Sequence, residues 1–243
     1  MGGIPVRVMS YNVRSMRDDR SALGRIIRAC DPDVVCVQEA PRFLRWRSLC
    51  AELARRSGLV VVTGGRPAGA MLLLAGLRVR VLYTEDVLLR KLPGRHQRGL
   101  AMAVLEIQGA RFGVASMHLS LDDDERTYQV PEVLSHLHRL DATEMAATEL
   151  AATELVLAGD VNEQPHGLRW QGLVGELTDA YAKAPWGGEF TVTAKVPDRR
   201  IDGVFVSAGV EVRRCGVPVH LPELDRASDH LPVVADLRFP APG

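Results

Sequence analysis

The chain has 243 residues, long enough to bury a large core, and 47% of them are apolar and 25% charged, an ordinary globular balance. Thirty basic and thirty acidic side chains cancel, so no global field draws nucleic acid or a membrane to the molecule as a whole. No apolar run approaches the roughly 20 residues that cross a bilayer, and the N-terminus carries no secretory pattern.

Residues 6–12 are apolar and rich in β-formers, a first strand. Asp18 or Asp19 caps a helix with Leu23, Ile26, Ile27 and Cys30 at helical spacing, which Asp31-Pro32 ends. Residues 33–37 form a continuous apolar strand closing on Gln38 and Glu39. A strand–helix–strand unit with two buried strands is a parallel pair, so Asn12 and Glu39 fall at one carboxyl edge, where α/β sheets place ligands. Pro41 opens a second helix, with Phe43, Trp46, Cys50 and Leu53 as a core stripe.

Short strands are expected at 60–63, 70–74 and 79–82, and a hairpin joins 100–107 to 112–118 through Gln108-Gly109-Ala110. Residues 131–150 read as helix, running into a repeat at 142–155 whose five-residue period makes no single apolar stripe. Further strands follow at 155–158, 201–206 and 233–239. Strands outnumber helices and often follow one another directly, which favours two packed sheets with helices outside. No linker composition interrupts residues 1–243, so a single domain is expected.

Four cysteines, Cys30, Cys36, Cys50 and Cys215, lack metal-finger spacing and imply a reduced, cytoplasmic setting. Lysine occurs only at Lys91, Lys183 and Lys195; the preference for arginine suits phosphate binding but reads first as a coding bias.

Asn12, Glu39, His118, Asp160 and Asn162 each close an apolar strand, Asp202 lies early in one, and Asp229-His230 precedes one. Singly, such residues are turn formers or caps. Together they form a coherent set. Glu39 offers an oxygen ligand to a hard cation such as Mg²⁺, with Mn²⁺ as substitute. Asp160 is placed to activate a water, Asn162 to orient it or a phosphate, and His118 and His230 to donate to phosphate oxygens. Without a Walker loop, a GxGxxG, a GxSxG or a zinc cluster, phosphoester hydrolysis fits best.

MSYNVR (9–14), VVCVQEA (34–40), SMHLS (116–120), AGDVNEQP (158–165), RRIDGVFVS (199–207) and SDHLPV (228–233) occur in the order, and near the spacing, of the endonuclease/exonuclease/phosphatase superfamily, which this chain resembles. The resemblance implies a four-layer α/β (α+β type) sandwich like that of DNase I: two packed mixed β-sheets flanked by helices. It implies a Mg²⁺-dependent phosphoric ester hydrolase with the ion on Glu39, Asn12 close by and Asp229 on the metal side. Asp160 and Asn162 would manage the water, His118 would donate to phosphate, Asp202 would orient His230, and Arg98 would join Asn12, Asn162 and His118 in contacting phosphate.

The chain departs from abasic-site endonucleases in Val13-Arg14-Ser15 and Ala40, and residues 69–74 supply no carboxylate for His118. The substrate, a phosphodiester or phosphomonoester, is therefore open, with a nuclease on DNA or RNA as one alternative and an inactive phosphate-binding module as another. A monomer is expected.

Overall fold

The computed structural model describes residues 2–140, 152 and 154–241. Its first unit is the expected one: β1 (Ile4–Asn12), α1 (Arg20–Cys30) and β2 (Val34–Gln38), with β1 and β2 parallel. Asp19 rather than Asp18 caps α1, its carboxylate accepting from the Ser21 and Ala22 amides at 2.9 Å. Asp31 ends α1 in the left-handed region, φ 48°.

The next helix, α2, spans Trp46–Ser57 and starts later than the sequence indicates. The Trp46 amide bonds back to Phe43 O, and Arg45 takes φ 61°, so 43–45 is a turn. Phe43 is thereby turned out of the core and is 72% exposed, while Trp46, Cys50 and Leu53 pack as expected.

There follow β3 (Val60–Gly65), β4 (Met71–Ala75), β5 (Arg80–Leu88), β6 (Gly99–Ile107) and β7 (Ala110–His118). β5 runs well past the expected 79–82, because its register against β6 continues to Leu88 opposite Gly99. Gln108 (φ 50°) and Gly109 (φ 86°) make a two-residue hairpin between β6 and β7 with both residues left-handed. α3 (Asp123–His138) begins at an Asp122 cap, earlier than expected, and contains Pro131. Residues 141–150, most of the repeat, lie outside the described residues.

The chain continues through β8 (Glu154–Asp160), α4 (Leu168–Val174), β9 (Thr178–Asp179), α5 (Ala180–Lys183), β10 (Asp202–Val206), β11 (Glu211–Gly216), α6 (Leu224–Ala227) and β12 (Val233–Phe239). Among the described residues the strands form two mixed sheets of six, in the orders β11-β12-β1-β2-β4-β3 and β5-β6-β7-β8-β10-β9.

Strand alternation divides the core into layers. On β1 and β2, Val8 and Cys36 face the second sheet, where Ala103, Val114 and Val156 meet them. Met9, Tyr11, Val35 and Val37 face the other way, onto Leu23 and Ile27 of α1 and Leu53 of α2. Outside the second sheet, Met102, Ala115 and Leu157 pack against Val133, Trp170 and Leu173. The order is helix, sheet, sheet, helix.

One polar seam crosses the apolar middle. Gln38 donates to Ser116 Oγ (3.1 Å), and Ser116 Oγ donates back to Val37 O (3.0 Å), all buried. Buried polar groups persist when every partner is supplied, and this seam joins the ends of β2 and β7.

Candidate active site

Strand register assembles the site. Asn12 ends β1 beside Gln38, and Glu39 follows at once. In the second sheet β7 and β8 are also parallel, and His118 ends opposite Asp160. β10 runs antiparallel to β8 and begins with Asp202 opposite Asp160. β12 runs antiparallel to β1, so Ser228, Asp229 and His230, which precede it, return to the same edge. Two parallel pairs, one per sheet, thus deliver their carboxyl ends to a common mouth.

Asp160 is the hub. Its side chain is buried, with Asn12 Nδ2 at 3.2 Å, His118 Nε2 at 3.3 Å and His230 Nε2 at 3.8 Å from Oδ2. Its Oδ1 accepts from the Asn162 amide at 2.9 Å, a bond that the left-handed Asn162 backbone (φ 55°) makes possible. Asn12 Nδ2 also reaches Glu39 Oε1 at 3.3 Å, so one amide links the two carboxylates. Asn12 Oδ1 meanwhile accepts from the Arg14 amide.

His230 Nδ1 lies 2.9 Å from Asp202 Oδ2, leaving Nε2 toward Asp160. Burial alone lowers the His230 pKa, but Asp202, Asp160 and Asp229 outweigh it and raise it to about 10. His230 is a cation at neutral pH.

His118 has a different neighbour. Arg98 Nη1 lies 2.9 Å from its Nδ1. A guanidinium only donates, so Nδ1 is the acceptor and Nε2 carries the proton, directed at Asp160. Burial, then the charges of Arg98 and His230, hold the His118 pKa well below the usual histidine range. The partner for His118 that the sequence left unidentified is thus an arginine on one nitrogen and Asp160 on the other. Burial and the Asp202 charge raise Asp160 to about 7, against the opposing pull of His230, Asn162 and Asn12.

One match decides the relationship: the model of the endonuclease/exonuclease/phosphatase family covers residues 9–230. The chain belongs to the endonuclease/exonuclease/phosphatase family. No curated protein sequence matches it. A family member from Bacteroides vulgatus is 21% identical with a TM-score of 0.76, covering 97% of this chain and 99% of its own. A Bacteroides thetaiotaomicron mannosyl-6-phosphatase gives 18% identity and a TM-score of 0.79, covering 96% and 100%. D. rerio TDP2, in complex with a single-strand DNA product, gives 16% and 0.71, covering 97% and 99%. At these identities the likeness shows the fold, and the two-sheet arrangement is the DNase I-like one of this family.

Two groups of side chains could offer oxygen to a hard cation. Asp160, Asp202 and His230 present ligand atoms within 4.8 Å of one another. In that trio His230 Nδ1 is already engaged with Asp202 Oδ2 at 2.9 Å, so two of the three groups serve each other. Glu39 is different: it has the neutral Asn12 amide on Oε1 and lines a cavity of about 290 Å³ with His118 and Arg98. Its backbone is left-handed, φ 50°, which turns it out of the β2 direction into that cavity. An oxygen donor in a polar cavity fits Mg²⁺. Asp229 stands apart: its Oδ2 pairs with Arg14 Nε at 3.2 Å, and it lines a second cavity with Asp18 and Asp19.

Four contributors are not visible in the sequence. Ser228 donates from Oγ to Asn12 O at 2.7 Å, pinning the Asp229-His230 segment to the end of β1. Leu119 O accepts from Asn162 Nδ2 at 2.9 Å and fixes that amide. Arg17 and Arg42 line the cavity beside Glu39. Their signal was the arginine excess itself, which composition alone cannot localise.

Proposed function

We propose that the chain is a divalent-metal-dependent phosphoesterase that hydrolyses a phosphodiester or phosphomonoester with a water activated at Asp160. The observation that carries this reading is the hub: one buried carboxylate with a neutral imidazole, a cationic imidazole and an amide arranged around it. Asp160, raised to about 7, has the affinity of a general base at neutral pH. Asn162, fixed through Leu119 O, orients the water or a phosphate oxygen.

His118 donates from Nε2 without carrying charge, and His230 donates from Nε2 with charge; both oppose negative charge developing on the phosphate. Asp202 keeps His230 in that state, and Arg98 contributes a guanidinium to the phosphate. Glu39 would hold Mg²⁺ or Mn²⁺, with Asn12 setting its carboxylate and Asp229 joining once released from Arg14. When bound, the ion supplies a Lewis acid for the phosphate oxygens.

The four cysteines are free and buried, which supports a reducing, cytoplasmic setting. Among the described residues no helix is long and apolar enough to cross a membrane. The test is hydrolysis of an aryl phosphate and an aryl phosphodiester with Mg²⁺. Activity is expected to vanish in EDTA and return with Mg²⁺; full turnover in EDTA defeats the reading.

A further inference from the structure

The cavity that holds Glu39 and His118 shares Arg42, Phe43 and Gly69 with a larger neighbour of about 670 Å³. Arg42, Arg45, Arg66 and Gln97 supply the polar lining of that neighbour, and no carboxylate lines it. Its apolar wall includes Phe43, with the Arg42 guanidinium 5.3 Å from the ring centroid, and Trp46. The wall is built in: Gly65, at φ 87°, lies so close to the Trp46 ring that a Cβ there would collide with it. That close approach sets Arg66 beside Trp46.

Isolated surface arginines are ordinary, but Arg42, Arg45 and Arg66 share one cavity whose lining holds no acid. Many guanidiniums elsewhere have acids: Arg7 and Arg214 pair with Asp236, Arg25 with Glu223, Arg139 with Glu85. Arg42, Arg45 and Arg66 have no carboxylate partner among the described residues, and neither does Arg98. Arg98 Nε is buried with no hydrogen-bond partner, and a row of guanidiniums leads from the catalytic cavity, where Asp160 and Glu39 act on Arg98, into a neighbour without acids. The cavity on the Asp229 side is different, mixing Arg14, Lys195 and Arg226 with Asp18, Asp19, Asp225 and Asp229. The mouth of the site is therefore cationic on one side and slightly acidic on the other, which orients an extended anion.

We infer that the cavity of Arg42, Arg45 and Arg66 is a subsite for a second phosphoryl group of the substrate, joined to the one hydrolysed at Asp160. This rests on the phosphoesterase reading above. Planar guanidiniums hold phosphate oxygens bidentately, and the Phe43–Trp46 wall accepts the unit that links the two phosphates. A substrate with a single phosphate leaves this cavity unused.

The test reads binding before turnover. Asp160→Asn protein in Mg²⁺ buffer is titrated calorimetrically with the phosphorylated dinucleotide pTpT against TpT, and with myo-inositol bisphosphate against the monophosphate. In at least one pair, the ligand with the extra phosphate is expected to bind roughly tenfold tighter or better, the scale of a charge-assisted contact. The pair that shows the advantage identifies a nucleotide or a polyol carrier. Arg45→Ala with Arg66→Ala is expected to erase that advantage, and Arg45→Lys with Arg66→Lys to restore part of it. Both side chains are exposed, so folding is not at stake, and a thermal melt checks this. Equal affinity within both pairs, or an advantage that survives the double alanine variant, overturns the subsite. Turnover separates the two readings. A protein that prefers the extra phosphate but hydrolyses no phosphoester keeps the subsite and loses the hydrolase. One that hydrolyses phosphoesters with no such preference does the reverse.

Discussion

His118 and His230 both approach Asp160, and their surroundings drive them to opposite charge states. His230 has a carboxylate on Nδ1 at 2.9 Å and is held protonated. His118 has a guanidinium on Nδ1 at 2.9 Å and is held neutral. Both direct Nε2 at the same Asp160 oxygen. The difference teaches that a histidine's task is set by the atom behind it. A carboxylate behind the ring makes a cation that can part with a proton; a guanidinium makes a neutral donor with a fixed tautomer.

The comparison breaks most completely if its common point is removed. Asp160→Asn is expected to lower turnover by roughly 10²-fold or more, the scale of losing a general base. Circular dichroism should show the fold retained, because the site lies at strand ends; near-normal turnover in folded protein would assign Asp160 another task.

Next is the Asp202–His230 pair. Asp202→Ala and His230→Ala should each reduce kcat strongly, while the double variant loses little beyond the worse single one, as residues acting as a unit do. Fully additive losses in a double-mutant cycle would mean that the 2.9 Å bond has no catalytic role.

A spectroscopic contrast sharpens the distinction without turnover. Ring-nitrogen NMR between about pH 5 and pH 9 should show His230 charged and His118 neutral with its proton on Nε2 throughout most of that range. Arg98→Met removes a positive charge, so the His118 pKa should rise. A His118 that titrates unchanged in the variant would contradict the arginine's part in holding it neutral.

The smallest effect is a control at the opposite edge of the first sheet. Asp236 pairs with Arg7 and Arg214 at 2.5 Å, and these bonds hold its pKa below the ordinary carboxylate value, although burial alone would raise it. A depressed folded pKa gives stability that is present above the unfolded value of 3.8 and is lost as pH falls through the folded one. Asp236→Asn should therefore cost about 1 kcal/mol at neutral pH, discounted for partial exposure, and progressively less in acid. Chemical melts at neutral and at acid pH measure it, and turnover should not follow.

The sequence made much of this legible because strand ends are local. Apolar runs closing on Asn12, Glu39, His118 and Asp160 announced their own edges, and the parallel strand–helix–strand unit was enough to put the first two of them side by side. The Asp202–His230 bond followed from the family resemblance, since nothing in the spacing joins residues on different sheets. Phe43 was misplaced because the apolar spacing continues across a turn that the left-handed Arg45 creates, and arginine carries no signal for that conformation. Arg98 lay in view as a phosphate-contacting residue, but its grip on His118 depends on β6 and β7 pairing, which a string of residues does not contain. The cationic cavity was invisible for a related reason. Arg42, Arg45 and Arg66 are ordinary arginines until the fold gathers them on one cavity with no acid in its lining.

The seam of Gln38, Ser116 and Val37 ties the cleft to the body of the protein. Asn12 and Glu39 belong to one sheet, and Asp160, His118 and Asp202 to the other, so shear between the sheets is the motion that would disassemble the site. A slip of one residue, roughly 3.3 Å, would part Asn12 from Asp160 and strand the Gln38 and Ser116 groups in an apolar interior. The displacement that ruins the chemistry is therefore the one that the core resists, and on warming, activity should fail together with the whole fold and not ahead of it.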